Sequence, residues 1–124
     1  MPTTRQTKLI DCNPKWVENA DGSSSNHITF DCPEGHEGCV SVLPFTPALD
    51  GSLPDMTQSR AWQRTGNSFE TLTLSPSIRR VQHYPTREAA IQAGCLPEYV
   101  TESMMCALHI FIREGQIEFC GDSK

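Results

Sequence analysis

No stretch of the chain approaches the run of roughly 18 apolar residues that a membrane-spanning helix needs. The opening residues, Met1-Pro2-Thr3-Thr4-Arg5-Gln6, lack the apolar core of a secretion signal. Basic residues are also few: Lys and Arg number 10 against 15 Asp and Glu, a formal charge of -5. Such a balance gives no basic face for gripping a phosphate backbone, so nucleic acid is disfavoured as the main ligand. No internal repeat and no heptad pattern is visible. These absences leave a soluble, cytoplasmic, single-domain protein without a membrane partner, its 124 residues enough for a core but with little stability in surplus.

What the chain does contain is cysteine, at positions 12, 32, 39, 95, 106 and 120. In a reducing compartment six cysteines point to metal binding or buried thiols rather than three disulfides, and the histidines interleaved with them favour metal. The densest stretch is Asp31-Cys32-Pro33-Glu34-Gly35-His36-Glu37-Gly38-Cys39, on a Pro/Gly backbone that can turn back on itself. Zinc takes about four N or S donors, commonly as pairs from two separate knuckles. Cys32-x-x-x-His36 and Cys106-x-x-His109 supply two such pairs, with Cys39 and Cys120 in reserve. Residues 106 and 109 of an ideal strand face opposite sides of a sheet, so their joint ligation demands a bulge or turn at Cys106-Ala107-Leu108. The bland alternative is a set of separate buried thiols beside a surface histidine.

Around these clusters the pattern is that of short strands. Lys8-Leu9-Ile10 and Lys15-Trp16-Val17 suit edge strands within a polar segment, residues 1–26, that closes on the loop Asn19 to Asn26. His27-Ile28-Thr29-Phe30 and Val40-Ser41-Val42-Leu43 alternate in polarity and make a hairpin with the Cys/His cluster at its tip. Pro44, Pro47 and Pro54 mark residues 44–58 as a surface connection. Ala61 to Arg64 and Phe69 to Leu74 suit strands, Pro76 ends the pairing of the second, and Ile78 to Tyr84 resumes as an edge strand. Thr86 to Gly94 is the one helix, with Thr86 as N-cap and Gly94 at the C-cap. In the last hairpin, a two-residue turn at Glu114-Gly115 sets Ile112 opposite Ile117, Ile110 opposite Phe119 and His109 opposite Cys120. The expected fold is therefore α+β, mostly antiparallel β with one short helix, a small zinc-stabilised single domain over residues 27–124.

Catalytic signatures are sparse. The deaminase pattern H-x-E with a later P-C-x-x-C is absent, and so is H-E-x-x-H. Glu34 and Glu37 flank His36 and could serve a catalytic zinc as general base. His27 and His83 suit surface or strand positions, and Trp62 suits the core. Leu74-Ser75-Pro76-Ser77-Ile78 needs only a structural account, because a hydroxyl nucleophile requires a strained elbow and a nearby base, and the sequence signals neither. Cys-His nucleophilic catalysis has no identifiable third residue.

Three of these pieces together, Cys32-Pro33-Glu34-Gly35-His36, then Trp62 with Thr71-Leu72-Thr73-Leu74-Ser75-Pro76-Ser77-Ile78, then Cys106-Ala107-Leu108-His109 and its following strand, resemble the DUF6527 family of small phage and prophage proteins. The resemblance spans residues 28–120 and implies Cys32, His36, Cys106 and His109 as the zinc set. His36 stands where that family's pattern has Cys, and Cys39 is additional. The resemblance also implies a phage-encoded protein acting in the host cell cytoplasm, and no reaction. The function expected on these grounds is a non-enzymatic, zinc-stabilised module that binds a protein of the host or virion. The alternatives are a zinc-dependent hydrolase using Glu34 or Glu37, and a small structural protein of the virion.

Overall fold

A computed structural model of the protein describes residues 6–52 and 61–124. Its strands are β1 (Gln6–Lys8), β2 (Lys15–Trp16), β3 (His27–Asp31), β4 (Val40–Thr46), β5 (Trp62–Thr65), β6 (Thr73–Arg79), β7 (His109–Arg113) and β8 (Gln116–Phe119), with one helix, α1 (Arg87–Gln92). All eight strands belong to one sheet in the order β1-β8-β7-β6-β5-β4-β3-β2. Neighbours are antiparallel except β4 and β5, which pair in parallel through Phe45 with Trp62 and Thr46 with Gln63.

The sheet is curled into a half-barrel. Cys32 follows β3 and Cys106 precedes β7, four strand positions away, a separation of about 19 Å across a flat sheet. Their sulfurs are nevertheless 3.7 Å apart. The concave side is lined by Ile28 and Phe30 of β3, Leu43 and Phe45 of β4, Leu74 and Ile78 of β6, Ile110 and Ile112 of β7, and Ile117 of β8, all buried in one cluster and alternating with outward residues except in β6. Leu9, just after β1, joins that cluster, and Trp16 of β2 stacks on Phe69 with ring centroids 4.5 Å apart.

The fold is mostly β, which corrects the α+β expectation. Helix α1 does form, and Thr86 caps it by accepting from the Ala89 amide at 3.1 Å. It spans only six residues, buries only Ala90 and sits within the β6–β7 connection among 3-10 turns, so it forms no layer against the sheet. The chain also differs from expectation around Pro44 and Pro76. Pro44 and Phe45 continue β4, and Phe45 is fully buried; residues 53–58, with Pro54, lie outside the described residues. Strand β6 begins at Thr73, runs through Pro76 and occupies the middle of the sheet between β5 and β7.

The reason β6 survives a proline is an irregularity in its pairing with β7. Leu74 opposes Ile112 and Ile78 opposes Ile110, so four steps along β6 match two along β7. The two extra residues fall in Ser75-Pro76-Ser77, where a missing N–H breaks no ladder bond. The β7–β8 hairpin takes the anticipated register, with Ile112 opposite Ile117 and Ile110 opposite Phe119. Both turn residues have positive φ, Glu114 at 47° and Gly115 at 74°. Glycine is required at 115, because a Cβ there would lie 2.6 Å from the Glu70 carbonyl oxygen.

Candidate active site and metal centre

The loop between β3 and β4 is pinned at its base by the Cys32 amide donating to the Cys39 carbonyl at 2.9 Å. Within it, the Gly35 amide donates to the Cys32 carbonyl and the Cys39 amide to the His36 carbonyl, two tight turns that aim three side chains inward. Cys32, His36, Cys39 and Cys106 each place a ligand atom within 4.8 Å of all the others. The Cys32 sulfur is 3.3 Å from His36 Nδ1 and 3.7 Å from the Cys106 sulfur. A tetrahedron with zinc–sulfur bonds of about 2.3 Å has sulfur–sulfur edges of about 3.8 Å and sulfur–nitrogen edges of about 3.5 Å. The donor set and its spacing therefore fit a metal ion.

Burial pushes the Cys106 thiol up to about 12. Burial, reinforced by the nearby Cys32 sulfur, raises Cys39 as well. Arg80, just past β6, donates through a guanidinium N–H to the Cys39 sulfur at 3.1 Å, and its backbone amide donates to the Leu108 carbonyl at 2.7 Å. Three thiolates on a divalent ion leave one net negative charge, which this guanidinium offsets.

His109 is not part of that cluster, which corrects the expected ligand set. Cys106 leads into an extended segment with no bulge at Ala107-Leu108, so Cys106, Leu108, Ile110 and Ile112 all face the core. His109 takes the opposite face. Cys39 fills the fourth corner instead. Cys120, the other reserve ligand, lies beside His109, its amide donating to the His109 carbonyl at 2.9 Å. His27 opens β3 and His83 is exposed; neither belongs to a metal cluster among the described residues.

On its own face His109 meets two other side chains. Its Nδ1 is 2.7 Å from Asp122 Oδ1, and its Nε2 is 3.3 Å from Ser77 Oγ. An ionised carboxylate only accepts, so Nδ1 carries the proton and Nε2 accepts from the serine hydroxyl. The hydrogen bond from His109 holds the Asp122 carboxyl below its ordinary value. The irregular segment of β6 brings Ser77 to this position, and Trp62 Nε1 donates to the Ser77 carbonyl at 3.3 Å. The His109 amide is anchored by the hydroxyl of buried Ser123 at 3.0 Å. A cleft of about 460 Å³, lined by Arg79, Arg80, Asp122 and Ser123 among others, opens beside Asp122; another of about 430 Å³ lies beyond Pro76, against Phe111.

Serine, histidine and aspartate in hydrogen-bonded series form the array that activates a hydroxyl nucleophile. Residues 4–120 match the family model described as the bacterial ubiquitination-like system serine protease, BubE. The chain belongs to the BubE family. The matched span contains Ser77 and His109, and Asp122 lies two residues beyond it. No curated protein and no solved structure matches the chain.

Membership of a serine protease family overturns the expectation of a non-enzymatic binding module, and it does not support a zinc hydrolase either. The donor set agrees: Cys32, His36, Cys39 and Cys106 are enough to fill a tetrahedron without a water, while the exposed Glu37 has its amide bonded to the Glu102 carboxylate. The BubE match gives no support to a phage origin or a virion role. No helix among the described residues is long and apolar enough to cross a membrane. The signal that sequence reasoning passed over was the face of the sheet. With His109 opposite Cys120, Asp122 follows two residues later in the turn closed by the Ser123 amide on the Cys120 carbonyl, and the Ser-Pro-Ser break supplies the hydroxyl.

Proposed function

We propose that the protein is a serine protease in which Ser77 is the nucleophile, His109 the general base and Asp122 the residue that orients the imidazole. The observation that carries this reading is the continuous series Asp122–His109–Ser77 at 2.7 and 3.3 Å. Ser77 Oγ attacks the scissile carbonyl while His109 Nε2 takes its proton; Asp122 holds Nδ1–H and stabilises the imidazolium that results. His109 then returns the proton to the leaving amine, and water releases the acyl group by the same route. A separation of 3.3 Å between hydroxyl and base suits a site without substrate, where such bonds are long and tighten on binding. The substrate is a protein, in keeping with the ubiquitination-like system in the family's description.

The second centre is a structural zinc site formed by Cys32, His36, Cys39 and Cys106. Three sulfurs and one imidazole are donors that zinc favours, and a filled tetrahedron keeps no position for water. Its work is mechanical: it fastens the tip of the β3–β4 hairpin to the chain entering β7 and so holds the curl of the sheet. Unpaired thiols of this number suit a reducing compartment such as the cytoplasm. The test is labelling with a fluorophosphonate, which marks activated serines. The native protein is expected to acquire one adduct at Ser77 and to cleave its protein substrate. Ser77→Ala should do neither, with a rate loss of about four orders of magnitude or more at unchanged zinc content. Full cleavage by Ser77→Ala would overturn the assignment.

A further inference from the structure

The face that carries the triad also holds a thiol that the proposed reaction leaves without a role. Cys120 stands across the strand pair from His109, and one ring nitrogen of His109, the Cys120 sulfur and a carboxylate oxygen of Asp122 all lie within 4.8 Å of one another. Imidazole, thiol and carboxylate are three first-choice zinc donors. Unlike the buried cluster, this group faces outward: Asp122 is exposed, His109 and Cys120 are half-buried, and the cleft beside Asp122 offers an approach. Three protein donors leave the fourth position of a tetrahedron to water.

We propose that His109, Cys120 and Asp122 form a second, solvent-facing site for a divalent cation of the zinc class, and that an ion bound there switches the protease off. Binding displaces the thiol proton of Cys120 to solvent, so the thiolate and the Asp122 carboxylate together neutralise the ion. Either ring nitrogen of His109 can ligate, with the same consequence. Ligation through Nδ1 moves the ring proton to Nε2, which then donates toward Ser77 instead of accepting from it. Ligation through Nε2 occupies the lone pair itself. In both cases the base for Ser77 is gone, and Asp122 no longer orients the ring. The inhibitory part rests on the triad assignment above; the binding part stands without it.

The test begins with protein whose buried cluster is filled with one equivalent of zinc, and adds cobalt(II) as a spectroscopic probe. A second equivalent should bind with a thiolate-to-cobalt charge-transfer band, and Cys120→Ser and Cys120→Ala should lose that band while keeping the first metal. In parallel, added zinc should suppress fluorophosphonate labelling and cleavage by the native protein, reversibly with a mild chelator. The two Cys120 variants should need at least about tenfold more zinc for the same suppression, as removal of one donor of three implies. Failure to bind the second cobalt, or equal zinc sensitivity in native and variant proteins, would overturn the proposal. A protein that binds the second cobalt through Cys120 yet never labels or cleaves would count against the triad and leave the metal site standing.

Discussion

Cys106 and His109 are three residues apart and lie on opposite faces of the same sheet, the cysteine in the metal cluster and the histidine against Ser77. The two centres are therefore separable by mutation although one short segment serves both. His109→Ala is expected to keep its zinc and its fold while cleavage falls by about four orders of magnitude or more. Cys106→Ser is expected to lose the metal, and with it about 10 kcal/mol or more of apparent binding free energy, enough to unfold a domain of this size. Elemental analysis beside circular dichroism distinguishes the two; zinc loss in His109→Ala would refute the division.

The same pair shows what was legible in the sequence. Strand parity and the Glu114-Gly115 turn follow from local pattern, so the β7–β8 register and the outward direction of His109 were readable. The cluster at the β3–β4 tip was readable for the same reason. Cys106 was readable as a companion of Cys32 and His36, but His109 stood where the structure has Cys39, because a two-residue gap in sequence does not show that a strand turns its alternate residues to opposite faces. Ser77 was missed because its approach to His109 depends on two extra residues in β6, a register irregularity that no local pattern announces. The helix, though correctly located at Arg87–Gln92, misled the fold class because periodicity does not show whether an element packs as a layer.

Asp122 is expected to act on the rate as an ionised carboxylate. Its folded-state pKa is lowered by the His109 hydrogen bond, so its contribution is present above the ordinary carboxylate value and lost only as pH falls through the depressed one. It is thus ionised throughout the range above about pH 5. Asp122→Asn should lower kcat by roughly 10²- to 10⁴-fold, the upper figure being that for a buried triad carboxylate. The variant should keep its zinc and its circular dichroism, so that the loss is read in kcat and not in the amount of folded protein. Cleavage by Asp122→Asn at the native rate would remove Asp122 from the series.

Metal removal should invert the response of the fold to pH. In the metal-free chain the Cys39 and Cys106 thiols are raised above their ordinary value, Cys106 to about 12. Groups raised on folding contribute stability below their unfolded pKa, about 8.5 for cysteine, and lose it as pH climbs toward the folded value. The metal-free protein should therefore weaken in alkali. The metal-loaded protein should weaken in acid, since ligation must displace at least these two protons, and affinity should fall roughly 100-fold for each pH unit lost. Chelator competition between pH 6 and 8 measures the slope; a slope near zero would mean the sulfurs do not bind as thiolates.

Arg80 links the Cys39 sulfur to the strand that carries Ser77. Arg80 lies three residues beyond Ser77; its guanidinium donates to the Cys39 sulfur and its backbone amide to the Leu108 carbonyl. A cation against a thiolate cluster of net negative charge stabilises the ligated form, and outer partners of this kind are worth about 10- to 100-fold in metal affinity. Arg80→Ala is expected to show that loss in chelator competition, with Arg80→Lys recovering part of it because charge returns without the planar fork. Cleavage by Arg80→Ala should approach the native rate once the protein is zinc-loaded and freed of excess ion, as befits a residue that acts on Ser77 only through the metal cluster. Unchanged affinity in Arg80→Ala would leave the 3.1 Å contact without energetic weight. A rate deficit that persists at full zinc occupancy would show Arg80 acting on the substrate directly, from the cleft beside Asp122 that it also lines.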